Sequence, residues 1–262
     1  MALGNFLKWV GGGLVAIVAA LCLLVQGAYW YGASMLPQRL PQPGREYPAA
    51  ARELLWRTLG GGDAAISARR LNAFSYAGLI FETLFLYLDR HGESMLPAAD
   101  LGLVEQTSFA VRDALVEIRR ARVAAPSSTS TSAGSNAAAL QQVSYDYGFE
   151  SMALFIRASR EWPAERMADF VLDSGDYGRD SASLERAAQA YFGVTVEQLT
   201  REELAMLVLL RIHLGGRDPH CAPEAFRLAY AEATQGIGDP KLPALSTQTL
   251  ARLKPIACPP DA

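Results

Sequence analysis

The segment LERAAQAYFG, at Leu184–Gly193, is followed by LTREELAML, at Leu199–Leu207. The first segment predicts a short helix that stops at a glycine, the residue that most easily adopts the left-handed conformation at a helix end. In the second, Thr200 and Glu203 form a capping box, in which each side chain accepts a hydrogen bond from a free backbone N–H at the helix start. Two consecutive helices are therefore predicted here, and they favour an all-α fold.

Helical patterns extend over most of the chain, and strand patterns are nearly absent. The segment 64–91 is apolar on nearly every side, so we expect it to be well buried or to lie against a membrane. Residues 125–136, APSSTSTSAGSN, are polar and of low complexity and predict a mobile loop. From Gln235 onward the chain is interrupted by prolines and predicts irregular structure. Helices are predicted at 47–59, 64–91, 97–122, 141–159, 164–172, 183–191, 201–213 and 223–234.

The composition argues against several classes of function. The chain has 262 residues, which is room for one domain of ordinary size with appendages, and its net charge is −3. That charge gives no reason to expect nucleic-acid binding. The histidines lack the spacing of metal ligands, and the sequence has no Walker or dinucleotide-binding glycine pattern. We therefore expect neither nucleic acid nor a structural zinc ion as a partner.

Residues 9–38 contain no charged side chain, and about 20 apolar residues are enough to cross a hydrocarbon core of about 30 Å. Trp9 at one end and Trp30 at the other resemble the aromatic belts of membrane interfaces. We predict a transmembrane anchor at 9–36, with residues 1–8 in the cytoplasm because the short N-terminus carries a lysine. A cleaved signal peptide is the alternative, although aromatic residues stand where a cleavage site requires small ones.

The three cysteines differ in their predicted surroundings. Cys22 lies within the predicted anchor, where it can only pack. Cys221 and Cys258 would both lie outside the cytoplasm, where disulfides persist. A bridge between them would hold the Pro-rich tail to the loop after the last strong helix. Two unpaired thiols are the alternative, since sequence does not supply the geometry of a disulfide.

The two opening segments also carry a family pattern, AAxxYFG followed by LTxxExAxL, which resembles the peptidoglycan glycosyltransferases of glycosyltransferase family 51. The resemblance continues downstream through Asp218-Pro219 and Pro223-Glu224, which are similar to the family's DPxxxPE. Upstream, Trp162-Pro163 and Arg166 look like the WPxxR of the monofunctional biosynthetic transglycosylases. The family polymerises a lipid-linked disaccharide into glycan strands on a lysozyme-like helical scaffold. The resemblance therefore implies an all-α, lysozyme-like domain on a single N-terminal transmembrane helix.

The family uses two glutamates, one in an EDxxF motif and one in a KxxE motif. Glu105 keeps the spacing of the first through Glu105-Gln106-Thr107-Ser108-Phe109, and Glu150 heads an apolar helix as the second does. The resemblance implies that Glu105 is the general base and that Glu150 assists departure of the diphosphate. Gln106 replaces the family's aspartate and Tyr147 its lysine, so the catalytic half departs from the pattern. For either glutamate, a surface position on a helix is the alternative.

Further site residues follow from the same resemblance. The pair Gln141-Gln142 matches the paired glutamines of the family, although the GGST pattern before them is lost. Asp173 takes the place of an asparagine, and Asp176-Tyr177-Gly178 resembles the family's EWG, which lines the donor side of the cleft. Loop residues with only a turn-forming role are the alternative for this stretch. Arg112 is among the arginines able to meet the diphosphate in place of the missing lysine.

The leading hypothesis is a membrane-anchored glycosyltransferase in the bacterial inner membrane, with the N-terminus inside and the domain in the periplasm. Its partners would be the lipid-linked peptidoglycan precursor, the glycan strand and other cell-wall synthesis proteins. No cofactor is required, with a divalent cation such as Mg²⁺ or Mn²⁺ at the diphosphate as an alternative. A degenerate family member acting as a scaffold, or a lytic muramidase, are the other hypotheses. The predicted segments are a linker with extra helices at 37–94, the transglycosylase-like domain at 95–235 and a tail at 236–262.

Overall fold

The computed structural model describes residues 2–89, 97–124, 148–215 and 218–258. Every regular element in these ranges is helical and none is a strand, which confirms the all-α prediction. A 3₁₀ turn at Val196–Gln198 precedes the helix Arg201–Leu209, and a π-helical turn at Leu210–Leu214 extends that helix. The helices are α1 (Ala2–Met35), α2 (Ala49–Thr58), α3 (Ala73–Asp89), α4 (Ala99–Ala124), α5 (Phe149–Glu161), α6 (Ala164–Asp173), α7 (Leu184–Tyr191), α8 (Arg201–Leu209), α9 (Pro223–Ile237) and α10 (Thr247–Ala251).

The chain forms two compact units that are interleaved along the sequence. The first unit contains residues 1–40, 70–95 and 118–160, and the second contains residues 41–69, 96–117 and 161–262. The chain therefore passes between the units several times, whereas the sequence analysis divides it into consecutive segments.

The first unit is built on α1. Its segment Gly12–Met35 is the one helix in the described part of the chain that is long and apolar enough to cross a membrane, with a mean hydropathy of 2.0. The start of α5 packs on the C-terminal end of α1, where the rings of Tyr31 and Phe149 meet edge to face with centroids 5.7 Å apart. Gly32 lies directly against the carbonyl of Phe149, so a side chain at that position would clash.

The helix α3 also belongs to this unit, and it begins at Ala73 rather than at the predicted residue 64. Asn72 fixes this start, because its side-chain oxygen accepts hydrogen bonds from the backbone N–H groups of Phe74 and Ser75. The preceding residues 64–72 are not helical. Hydrophobic spacing could not reveal this boundary, since apolar residues continue on both sides of it. The predicted loop at 125–136 lies outside the described residues.

The core of the second unit forms where α2 packs against α6 and α8. Burial of each large aliphatic side chain in such a core stabilises the fold by about 1.5–3 kcal/mol. The contacts rely on the amphipathic pattern of the helices, which turns their apolar residues toward one another. Fully buried members of this core include Leu54, Leu55, Met167, Leu172, Leu184, Ala188 and Leu207.

The region around α7 and α8 confirms the predicted helix boundaries. Thr200 Oγ1 accepts a hydrogen bond from Glu203 N at 3.3 Å, and Glu203 Oε2 accepts one from Thr200 N at 2.8 Å. Gly193 ends α7 with a φ of 74°, in the left-handed region where a glycine is least strained. The chain after Gln235 is less irregular than predicted, because α10 lies within it and is capped by Ser246. Five residues are too few to produce a recognisable hydrophobic period.

The C-terminal tail is fastened to the second unit by a disulfide and an arginine. Cys221 and Cys258, which are 37 positions apart in the sequence, are joined by a disulfide bond with Cα atoms 5.3 Å apart. Arg179 forms a bidentate ion pair with Asp218, at 2.6 and 2.9 Å, and donates to the carbonyl of Lys254 at 2.9 Å. Asp218, the first residue of the DPxxxPE segment, thus has a structural role in this chain.

Candidate functional site

Glu105 is a half-buried carboxylate in the first half of α4, within the second unit. It has no hydrogen bond or ion pair with any residue in the described part of the chain, and desolvation raises the pKa of its carboxyl group. The adjacent Thr107 and Ser108 are buried, and each donates its hydroxyl to a helix carbonyl at 2.7 Å. Glu105 is thus the group in this part of α4 that is available for proton transfer.

Two further residues lie on the same face of α4 as Glu105. Phe109 and Arg112 follow it by four and seven residues, the spacing that places side chains one above another on a helix. The ring of Phe109 is 42% exposed. The guanidinium of Arg112 lies 5.1 Å from the centre of this ring and pairs with Asp113 at 3.1 Å. We call Glu105, Phe109 and Arg112 the α4 stripe, which combines a carboxylate, an exposed aromatic ring and a cation.

Glu150 lies in the first turn of α5, within the first unit, and only 4% of its side chain is exposed. Its carboxylate forms an ion pair with Arg119, whose side chain is 35% exposed. Glu150 therefore holds a cation and presents little surface to a substrate. Because Glu105 and Glu150 belong to different compact units, the expectation that both open onto one groove stays a prediction. Gln141 and Gln142 lie outside the described residues.

The structure uses Asp173 to hold the linker that precedes α2. One carboxylate oxygen of Asp173 accepts a hydrogen bond from Gly44 N at 2.5 Å, and the other accepts one from the Tyr47 hydroxyl at 3.0 Å. Asp176 is exposed, and its carboxylate accepts a hydrogen bond from Gly178 N at 2.7 Å within its own turn. Neither arrangement requires a sugar, and Asp173 in particular is already engaged by the fold.

Tyr177 requires a correction, since the resemblance implied that it belongs to a segment lining the donor side of a cleft. The side chain has 0% exposure. Its hydroxyl donates to the carbonyl of Leu172 at 2.9 Å, and its own carbonyl accepts from the hydroxyl of Tyr191 at 2.8 Å. Burial raises the pKa of the Tyr177 hydroxyl. We therefore assign Tyr177 to the interior that supports the loop, with no surface for a ligand.

The second unit contains a cavity of about 460 Å³ that the sequence did not predict. Arg52 is bound there by Asp169 at 2.7 and 2.8 Å, and Arg45 by two glutamates. Arg166 of the WPxxR pattern stacks 5.7 Å from the Trp162 ring and has no ion pair among the described residues. The lining contains three arginines and three carboxylates, so it offers no excess positive charge to a diphosphate. It consists of Pro43, Arg45, Glu46, Arg52, Pro163, Glu165, Arg166 and Asp169.

The signal for Arg45 and Arg52 was weak in the sequence because both precede the first recognised motif, at Glu105, by more than fifty residues. In the described ranges, no group of three or more histidine, cysteine, aspartate or glutamate residues is arranged to hold a metal ion.

No protein-family model matches this chain, and no curated protein matches it significantly.

Proposed function

We propose that this protein is a membrane-anchored, peptidoglycan glycosyltransferase-like protein that acts on a lipid-linked disaccharide precursor. The proposal includes a lysozyme-like arrangement of the second unit, an anchor in the bacterial inner membrane and a domain on its outer side. It rests on the sequence resemblance and on the apolar helix α1. The observation that carries it furthest is the state of Glu105, a half-buried carboxylate with a raised pKa and no partner among the described residues.

In this proposal the hydroxyl of the acceptor sugar attacks the anomeric carbon of the donor. Glu105 removes the proton from that hydroxyl as the new C–O bond forms. The bond between the anomeric carbon and the diphosphate breaks, and its electron pair leaves with the diphosphate. A raised pKa suits a general base because its conjugate acid is then closer to the working pH. The exposed ring of Phe109 offers a surface on which a sugar can stack.

Cations must meet the negative charge of the leaving diphosphate. Arg112 lies over the ring of Phe109 on the α4 stripe, on the same face of the helix as Glu105, and supplies one such charge. We assign Glu150 a positioning role within its own unit in place of direct contact, because its buried carboxylate fixes Arg119 through an ion pair. Arginine suits the position of Arg112, since its planar guanidinium binds phosphate oxygens in pairs.

The test is polymerisation of lipid-linked precursor by the full chain in detergent or vesicles. Glu105→Gln should abolish glycan synthesis, because an amide cannot accept the proton, while leaving the chain folded and inserted. The matched control is Glu117→Gln, an exposed glutamate on another face of the same helix. If both variants retain wild-type polymerisation, Glu105 is not the base and the assignment is wrong.

A second function, binding of precursor or glycan without catalysis, is favoured by a separate observation. Three of the residues that the resemblance assigns to the site are engaged by the fold: Glu150 by Arg119, Asp173 by the linker and Tyr177 by the core. A scaffold of this kind would bind the precursor and hold cell-wall synthesis proteins near it. Wild-type protein that binds the precursor, loses this binding in Phe109→Ala and polymerises nothing would establish the scaffold.

A further inference from the structure

The exposed face of α3 carries a row of phenylalanines. Phe74, Phe81 and Phe85 are 49%, 72% and 71% exposed. Their spacing of seven and four residues places all three within a narrow strip of the helix surface. Of residues 73–88, Glu82 is the only charged one. A soluble surface rarely presents so many large apolar side chains together, and such patches mark contact with a partner or a membrane.

The opposite side of α3 packs within the first unit and fixes the direction of the helix. Leu71 N donates a hydrogen bond to Ser159 Oγ at 3.0 Å, and the ring of Tyr76 meets that of Phe155 with centroids 5.5 Å apart. Leu71 thus contacts Ser159, whereas Tyr76, five residues later, contacts Phe155, four residues earlier on α5. The two helices run antiparallel along this contact.

This register relates α3 to the apolar helix α1. Further back along α5, Phe149 packs on Tyr31 of α1. The six residues from Phe155 to Phe149 span about 9 Å at about 1.5 Å per residue. The same distance along α3 runs from Tyr76 to Glu82. Residues of α3 beyond Glu82 are thus level with the part of α1 that precedes Tyr31, and α3 does contact α1.

The opposite end of α3 is level with the chain that leaves α1. Arg157 donates hydrogen bonds to the carbonyls of Pro37 and Gln38, at 2.8 and 3.0 Å, beyond the C-terminal end of α1. Phe74 lies near this level, because Tyr76 packs on Phe155 only two residues away. The row of phenylalanines thus runs from the level of the linker toward the level of the apolar helix.

We propose that α3 is a second membrane element, whose C-terminal half inserts Phe81 and Phe85 into the lipid leaflet around the C-terminal end of α1. This inference rests on the proposed membrane anchoring of α1. The occupant is lipid because α3 contacts α1, and the same medium must cover the exposed apolar side chains of α1, such as Leu23 and Leu24. A helix that lies at the interface in this way buries its apolar face about 5–10 Å into the headgroup and acyl boundary.

The experiment uses the full chain with Cys22→Ser, so that the only reactive thiol is introduced. Phe85→Cys and Phe74→Cys are each labelled with an environment-sensitive fluorophore and reconstituted into phosphatidylglycerol and phosphatidylethanolamine vesicles. Quenching by nitroxide-labelled lipid should be severalfold stronger at position 85 than at position 74. Quenching by aqueous iodide should show the reverse order. Matching circular dichroism spectra of the two variants show that the comparison is between folded proteins.

Flotation with the vesicles separates the possible failures. If the chain does not float, the membrane anchoring itself is wrong. If it floats but the two positions are quenched equally by lipid, α3 lies in water and only this inference is overturned. A second copy of the chain covering this face would give a different result. Position 85 would then be protected from iodide, but it would lose this protection on dilution with excess lipid, and cysteines at position 85 would cross-link. That result would overturn the lipid assignment.

Discussion

Glu105 shows how a single side chain can be costly to the fold and useful to the proposed chemistry. Its carboxylate is half-buried, and nothing in the described part of the chain compensates its charge. Desolvation favours the protonated form and raises the pKa above that of an unfolded chain. The ionised form of Glu105 therefore destabilises the fold, and this cost is acceptable where the ionised carboxylate serves a reaction.

The linkage between this pKa and stability gives a prediction. Because the folded pKa is raised, the contribution of Glu105 is fully present below its unfolded pKa of about 4.3 and is lost as pH rises through the folded value. Glu105→Gln keeps a neutral side chain at every pH. The variant should therefore melt higher than wild type at pH 7 and nearly equal to it at pH 4. Thermal unfolding at both values, with Glu232→Gln on the exposed side of α9 as the control, measures the difference; an equal effect at both pH values would contradict it.

Residue roles were predictable from sequence where the partners are near in the chain, and not where they are distant. Thr200 and Glu203 are three residues apart, and their capping box forms as predicted. Asp173 is bound by Gly44, 129 residues away, so its motif could not reveal that the carboxylate is occupied. The burial of Tyr177 likewise depends on Tyr191 and on the packing of several helices. Local hydrogen bonds follow local sequence, whereas availability to a ligand depends on the whole fold.

At the scale of elements, the linker before α2 acts as a strap across the second unit. Two carboxylates on α6 hold it: Asp173 binds Gly44 and Tyr47, and Asp169 accepts from Tyr47 N at 3.0 Å and from Arg52. Arg45 adds ion pairs to Glu185 and Glu197, both at 2.5 Å. Asp169 is nearly buried, with 4% side-chain exposure, so its contacts are well shielded from water. The order of the strap therefore depends strongly on this residue.

Asp169→Asn should loosen the strap. The amide keeps the shape but loses the charge opposite Arg52, and we expect the free energy of unfolding to fall by about 2–3 kcal/mol. Trypsin should then cleave after Arg45 severalfold faster than in wild type, because the linker leaves its docked position more often. Denaturant titration and limited proteolysis measure the two effects. Glu165→Gln, exposed on the same helix, should change neither; unchanged cleavage in Asp169→Asn would show that the strap is held elsewhere.

Helix positions were easier to predict than helix ends. The predicted 164–172 and 183–191 agree closely with α6 and α7, because their apolar residues repeat clearly on one face. The start of α3 was misplaced because the predicted helix was extended back across Arg69, Arg70 and Asn72, whereas the Asn72 side chain caps the helix. The sequence predicts that this helix is buried or lies against a membrane. It does not predict which of its side chains are exposed, and the exposed phenylalanines are seen only in the structure.

At the scale of the whole molecule, contacts of three kinds hold the C-terminal tail to the rest of the second unit. Lys254 N donates to the carbonyl of Tyr191 at 2.8 Å, which attaches the tail to the end of α7. Arg179 binds Asp218 and the carbonyl of Lys254 and lies 4.2 Å from the centre of the Tyr191 ring. The disulfide joins Cys221 to Cys258 beside them. The tail therefore has non-covalent contacts that would remain if the disulfide were absent.

Loss of the disulfide should lower stability mainly through the unfolded chain. The bridge closes a loop of 37 residues, and the chain-entropy model assigns such a closure about 4 kcal/mol at 25 °C. Since Arg179 and Lys254 still hold the tail, Cys258→Ser should retain the native circular dichroism spectrum and lose about this amount in the free energy of unfolding. Cys22→Ser, which removes the free cysteine in α1, is the matched control and should leave stability unchanged.

The same pair of variants tests where the protein resides. A persistent disulfide requires an oxidising compartment, so protein taken from cells under thiol-blocking conditions should show one reactive thiol, that of Cys22, before reduction. Three reactive thiols, together with equal stability of wild type and Cys258→Ser, would place the second unit in a reducing compartment. That result would contradict the proposal that the domain lies outside the cytoplasm. The reduced cysteines would indicate the cytoplasmic side, whereas the proposed orientation of the anchor places the second unit on the opposite side.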